Sequence, residues 1–158
     1  MPLLRPLRES DVPAVLALNE ANVEVLSAMD EAELASVESL ADRFDVLDVD
    51  GAFAGFVVTM RAGTAYGSAY YGWFNQRFER FYYLDRIVLH PDFRRQGLGG
   101  FVYDEIEQVA ASFGRLCLEV NLVPPNDPSL AFHAGRGFVE VGQYGDEQHL
   151  VSLLEKPL

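Results

Sequence analysis

The sequence predicts a single α/β domain over residues 1–158, a mixed sheet with helices packed on both faces. Three observations carry this. Short aliphatic and β-branched runs alternate with segments of helical period along the whole chain. Two such runs are joined by Asp50-Gly51, a dipeptide that favours a tight hairpin turn. Between Leu84 and Phe113 a strand passes through a glycine-bearing turn into an amphipathic helix.

Taken in order, Leu3 to Leu7 is a first strand, broken by Arg5 and Pro6 and therefore suited to a sheet edge. Ser10 or Asp11 is placed to cap a helix with Pro13 in its first turn, where a missing N–H costs little. Val12, Val15, Leu16, Leu18 and Ala21 give that helix its apolar side. A second helix is expected over Glu31 to Phe44, then strands Phe44 to Val49 and Phe53 to Arg61. Gly63 to Arg80 has no clear period and many aromatics. Phe81 to Leu89 is the strand that leads into the glycine turn. Beyond the long helix, Arg115 to Asn121 reads as a strand and Pro124-Pro125 enforces a loop. Asn126 or Asp127 with Pro128 starts a short helix, Ser129 to Gly135, and Gly137-Phe138 opens a strand through Val141. His149 to Leu154 is the last strand. Two helices are thus expected ahead of the glycine turn, with no internal repeat and no domain boundary.

With 49% hydrophobic and 23% charged residues, 158 residues suffice for a core without covalent staples. The single cysteine, Cys117, excludes an internal disulfide and fits a reducing compartment. No apolar run reaches the roughly 20 residues that cross a bilayer, and MPLLRPLRESD lacks the apolar core of a signal peptide. A cytoplasmic location without a membrane partner is the expectation. The excess of 24 acidic over 12 basic residues argues against a nucleic-acid partner.

Against that acidic background the turn Arg94-Arg95-Gln96-Gly97-Leu98-Gly99-Gly100 stands out. Leu98, Phe101, Val102, Ile106, Val109, Ala110 and Phe113 follow at helical spacing. Strand, glycine turn and helix together aim backbone N–H groups and the positive end of a helix dipole at one anion. Two arginines add charge-assisted donors, which makes the turn a cradle for a pyrophosphate. A Walker A loop is excluded because Gly99 is followed by Gly100-Phe101 rather than Lys-Ser/Thr. A dinucleotide fingerprint is excluded because its third glycine would fall on Val102.

What remains, Arg94-x-x-Gly97-x-Gly99 after Leu89-His90-Pro91, resembles motif A of the GNAT acyl-CoA-dependent N-acetyltransferases. A second segment, Asn126 to Phe138, is similar to that family's downstream pattern. Asn126, Ser129, Gly137 and Phe138 fall in register, while the family's tyrosine position holds His133. The resemblance implies a mostly antiparallel sheet with a central splayed parallel strand pair, and acetyl-CoA as cosubstrate, without a metal. It implies that the backbone of Arg95, Gln96, Gly97, Leu98, Gly99 and Gly100, with Arg94, holds the pyrophosphate. It further implies that the exposed backbone of Ile87, Val88 and Leu89 holds pantetheine, with Asn126 and His133 also beside the cofactor. The N–H of Leu89 is the implied oxyanion donor.

The acceptor amine must lose a proton before it attacks. Asp85 and Glu119 are the candidates, Asp85 sharing strand parity with Ile87 and Leu89, and Glu119 with Cys117. Each has a plain alternative use, an ion pair of Asp85 with Arg86 or Arg80 and a cross-strand charge for Glu119. Protonation of the departing thiolate falls in the family to the tyrosine, here His133, which alternatively serves only the helix. Cys117, within an apolar strand, reads as a small hydrophobe rather than an acyl carrier.

Nearly half of all aromatics lie between Tyr66 and Tyr83, and eight acids face one base, Arg43, between Asp30 and Asp50. Aromatic faces with carboxylates attract a cation, so a primary amine of a small molecule or peptide is the expected acceptor. The same aromatics would also serve a core or a homodimer interface, and the acids a solvated helix face. The alternative function on this fold is a non-catalytic acyl-CoA-binding sensor; a nucleotide-binding regulatory module is a third.

Overall fold

The computed structural model describes all 158 residues. One seven-stranded sheet runs through the molecule in the order β1-β2-β3-β4-β5-β7-β6. Its strands are β1 (Pro2–Pro6), β2 (Arg43–Val49), β3 (Ala52–Arg61), β4 (Tyr82–Leu89), β5 (Arg115–Val123), β6 (Val139–Gly145) and β7 (Leu150–Pro157). Every neighbouring pair is antiparallel except β4 and β5. Helices α1 (Val12–Glu20), α2 (Glu31–Leu40) and α3 (Ala69–Arg77) cover one face, and α4 (Leu98–Ala110) with α5 (Asp127–Gly135) the other. The predicted mixed sheet with helices on both faces is the one observed.

Local chemistry explains most of the elements. Asp50 and Gly51 have φ of 53° and 89°, the pair of positive values a two-residue hairpin turn of matching twist requires. Asp30 caps α2 by accepting the Glu33 N–H at 2.8 Å. Asp11 precedes α1 but does not cap it, because its carboxylate holds Arg5 at 2.7 and 2.9 Å and the Arg8 N–H at 2.8 Å. The second helix ends at Leu40 rather than Phe44, since Phe44 pairs with Val58 in the sheet and buries its ring against Phe56.

Three helices, not two, precede the glycine turn. The additional one, α3, lies in the stretch without a readable period. Ser68 caps it, and Tyr71 and Phe74 on its inner side pack against Phe81 and Tyr83. At nine residues with Gly72 inside, α3 depends on this aromatic packing rather than on its own propensity.

Two features of the central strands set up the site. First, β4 and β5 pair only at Tyr82–Leu116 and Tyr83–Cys117, then diverge. Second, β4 carries a bulge: Arg86 lies opposite Val58 and Leu84 opposite Thr59, leaving Asp85 with no partner of its own. The bulge resets the alternation of faces. Tyr83 and Val88 belong to the core under α1–α3, whereas Leu84, Ile87 and Leu89 belong with the α4 core. The parity expected for Asp85 with Ile87 and Leu89 is therefore broken. An extra residue in a strand shifts everything beyond it by one face.

Candidate active site

The divergence of β4 and β5 opens a cleft of about 910 Å³ that reaches from the α1–α2 side to α4 and α5. Asp85, Ile87, Glu119, Asn126 and His133 all line it. Val88 turns its side chain into the α1–α3 core, and Leu89 closes the end of β4 outside the cleft wall. His90 N–H donates to Ala54 of β3 at 2.8 Å. In an antiparallel ladder the N–H groups alternate in direction, so those of Leu89 and Ile87 are turned away from β3, toward the gap.

Just past β4, the turn from Arg94 to Gly97 is exposed. Arg95 and Gly97 have φ of 64° and 76°, which bend the chain sharply into α4. The N–H groups of Arg95 through Gly100 donate to no protein acceptor. Gly99 lies in ordinary helical backbone, and a Cβ added there meets nothing within 4 Å. Neither backbone conformation nor packing requires glycine at that position, although glycine in a helix costs about 1 kcal/mol relative to alanine. Space left open above free N–H groups is what the close approach of an anionic group needs.

Deep in the cleft the carboxylates are tied into a polar cluster. Asp85 accepts from Tyr66 Oη at 2.7 Å and from Arg86 Nε at 2.9 Å. Arg86 in turn reaches Asn19 Oδ1 at 2.9 Å and the Ser27 carbonyl at 3.3 Å, which fastens α1 and the following loop to β4. Glu119 accepts from the hydroxyl of Tyr83. Burial pushes the Glu119 carboxyl up to about 8, with the Tyr83 hydrogen bond opposing and the charge of Asp85 reinforcing the shift.

On the α4 side, His133 is buried and uses both ring nitrogens. Its Nδ1 lies 2.6 Å from the Ser129 carbonyl and its Nε2 lies 2.6 Å from Tyr103 Oη. A carbonyl only accepts, so Nδ1 carries the proton and Nε2 accepts from the tyrosine. Burial lowers the imidazole pKa, so the ring is neutral near pH 7. Asn126 caps α5, accepting the Ser129 N–H at 3.4 Å. Cys117 is fully buried among apolar side chains, which pushes its thiol up.

The aromatic stretch divides. Tyr71, Phe74, Phe81, Tyr82 and Tyr83 are buried, while Tyr66 and Tyr70 line the cleft. The acids between Asp30 and Asp50 mostly face elsewhere: Asp48 pairs with Arg5, Asp45 with Arg43 and Asp42 with Arg61. Of that run only Glu33 lines the cleft, joined there by Glu24. Sequence reasoning named Tyr66 and Tyr83 only within the aromatic stretch and Arg86 only as a partner for Asp85, and it did not single out Tyr103. For Tyr103 a signal existed, a phenol inside the apolar stripe of α4.

A model of the acetyltransferase (GNAT) family matches residues 17–138, a span that includes the splayed parallel pair and the open, glycine-lined helix start. The chain belongs to this family. Membership supports acetyl transfer as the general class of chemistry, and acetyl-CoA is the cosubstrate the family uses. Solved structures share the fold at low identity. Ard1 from Thermoplasma volcanium superposes with a TM-score of 0.77 at 16% identity, over 99% of this chain and 97% of that one. The ribosomal-protein-S18-alanine N-acetyltransferase from Escherichia coli gives 0.67 at 20% identity, over 99% and 94%. The N-acetylglutamate synthase from Neisseria gonorrhoeae, complexed with coenzyme A and N-acetyl-glutamate, gives 0.70 at 17% identity. That match covers 100% of this chain and 35% of the synthase. No curated protein sequence matches the chain significantly. No helix is long and apolar enough to cross a membrane.

Proposed function

We propose that the protein is an N-acetyltransferase that moves an acetyl group from acetyl-CoA to a primary amine of a small molecule or peptide. Transfer is direct, within a ternary complex. The observation that carries this is the cleft itself, which joins the unpaired backbone of β4 on one side to the Glu119 carboxyl on the other. The N–H groups from Arg95 to Gly100, with Arg94, hold the pyrophosphate. Pantetheine lies along Ile87 to Leu89 in the gap, beside Asn126 and the α5 wall.

The acetyl carbonyl points at the N–H of Leu89, which stabilises the oxyanion as the amine attacks. Glu119 takes the proton from the amine. With its pKa raised to about 8, the carboxylate that acts as base is the minor form at pH 7 and grows as pH rises. Asp85 is already committed to Arg86 and Tyr66, so it shapes the acceptor end rather than moving protons. Glu24, Glu33, Tyr66 and Tyr70 give that end an acidic and aromatic lining, which favours a cationic acceptor.

A screen of amines and amino acids with acetyl-CoA, read by thiol release, tests this reading. Turnover with one class of amine supports it. Tight coenzyme A binding without turnover on any amine would instead mark an acyl-CoA-binding sensor.

A further inference from the structure

Resting on the acetyl-transfer reading, we propose that Tyr103, on α4, is the general acid that protonates the departing thiolate, and that His133 is the residue that positions it. By sequence register His133 stands where the family motif has tyrosine. Its geometry leaves it no proton to give. A neutral imidazole has one N–H, here directed at the Ser129 carbonyl, and its Nε2 already receives the Tyr103 hydroxyl. The transferable proton nearest that position therefore belongs to Tyr103.

The placement of Tyr103 fits the task. Its side chain shares the cleft wall with His133, Leu118, Val120 and Ile87, on the α4 side of the gap. Its ring is clamped edge-on by Phe132, His133 and Phe138. Its only hydrogen-bond partner is His133 Nε2, so no backbone group fixes the hydroxyl. Within the buried stripe of α4, beside Val102 and Ile106, a phenylalanine would pack as well. The hydroxyl and the imidazole that receives it are an addition that apolar packing does not call for.

As the tetrahedral adduct collapses, the C–S bond breaks and its electron pair stays on sulfur. Tyr103 Oη turns from Nε2 and gives its proton to that sulfur, leaving a phenolate, and the acetamide C=O re-forms. Water returns a proton to the phenolate when coenzyme A leaves. The two protons lost by the ammonium account for the one on the thiol and the one released to solvent.

The test is Tyr103→Phe, with kcat and the KM for acetyl-CoA measured separately on the best amine from the screen. The expected result is a kcat lower by about 10- to 100-fold with KM within about twofold of wild type, because a thiolate needs less acid help than an alkoxide. His133→Phe should lower kcat similarly, and the double Phe variant should be no worse than either alone, since the two act as a unit. Tyr103→Phe combined with His133→Tyr moves the phenol to the neighbouring position, and should regain activity over Tyr103→Phe. A wild-type kcat in Tyr103→Phe would overturn the proposal. So would a loss confined to acetyl-CoA affinity, which would mark a packing role. Melting curves identify a misfolded variant, in which case the double variant with His133→Tyr decides. If wild type turns over no amine at all, the acetyl-transfer reading fails and this proposal with it. An active wild type with an unaffected Tyr103→Phe sinks the acid assignment alone.

Discussion

The hydroxyl of Tyr83, on β4, donates to the carboxyl of Glu119, on β5, across the gap that opens where those strands part. Tyr83 itself is still in register, opposite Cys117, two residues before Glu119. The bond thus sits at the fork, where the sheet stops excluding the cleft. It holds the carboxyl in place while burial keeps its proton on.

For Glu119 this gives a pH dependence with a defined sign. The carboxyl titrates near 4.5 unfolded and near 8 folded, so between those values the folded chain holds more protons. Its contribution to stability is fully present below 4.5 and is lost as pH rises through 8. Glu119→Gln has no proton to lose. It should melt close to wild type at pH 4 and higher by several degrees at pH 9. A difference independent of pH would show an ordinary surface-like carboxylate. In the same variant kcat should fall on the order of 10²- to 10⁴-fold, and the rise of kcat through pH 8 should disappear.

Gly99→Glu should abolish the rise in melting temperature that acetyl-CoA and coenzyme A produce in wild type. The added side chain meets no protein atom at its Cβ, so the fold itself should survive. Its carboxylate would stand over the free N–H groups of the turn. An undiminished shift with coenzyme A would place the cofactor elsewhere. NAD should give no shift in either protein.

Cys117→Ala should keep most of the activity, and wild type incubated with acetyl-CoA alone should show no acetyl adduct in intact-mass measurement. The thiol is fully buried and burial keeps it protonated, so it neither reaches the cleft nor ionises readily. A stable adduct on Cys117 would establish a ping-pong route instead.

Arg86→Met should be among the most destabilising substitutions in the chain, by about 3–5 kcal/mol in chemical denaturation. It strands the Asp85 carboxylate, already tied to Tyr66, without its cation. It also removes the tether from β4 to Asn19 and Ser27, which borders the acceptor end. A loss under about 1 kcal/mol would show that the cluster is solvated rather than buried. Arg86→Met combined with Asp85→Leu should recover part of the loss, because the uncompensated charge goes with it.

The parts legible in the chain were those whose causes are local. A hairpin at Asp50-Gly51, the entry into α4 and the stop at Pro124-Pro125 depend on φ preferences and missing donors that a few residues carry by themselves. So does the open turn into α4, where the N–H groups from Arg95 to Gly100 are free because they lead into a helix. The long stripe of α4 was readable because its apolar spacing is unbroken. By contrast, α3 carries no such stripe. It is a helix because Tyr71 and Phe74 find Phe81 and Tyr83, residues beyond its own end.

The sequence by itself determined the sheet-and-helix layering, the exposed glycine turn into α4 and the family resemblance that the matching family model then established. Only the tertiary structure decided how the side chains meet. A bulge at Asp85 turned that carboxylate away from the face of Ile87 and onto Arg86. The cation Arg86 itself closes a cluster with Asn19, which lies 67 residues away in the chain. Tyr103 and His133, 30 residues apart, became one hydrogen-bonded unit because α4 and α5 pack on the same side of the parted strands. Strand register, bulges and cross-helix contacts are set by which surfaces bury one another, and that competition involves the whole chain at once. Local preference has no access to it.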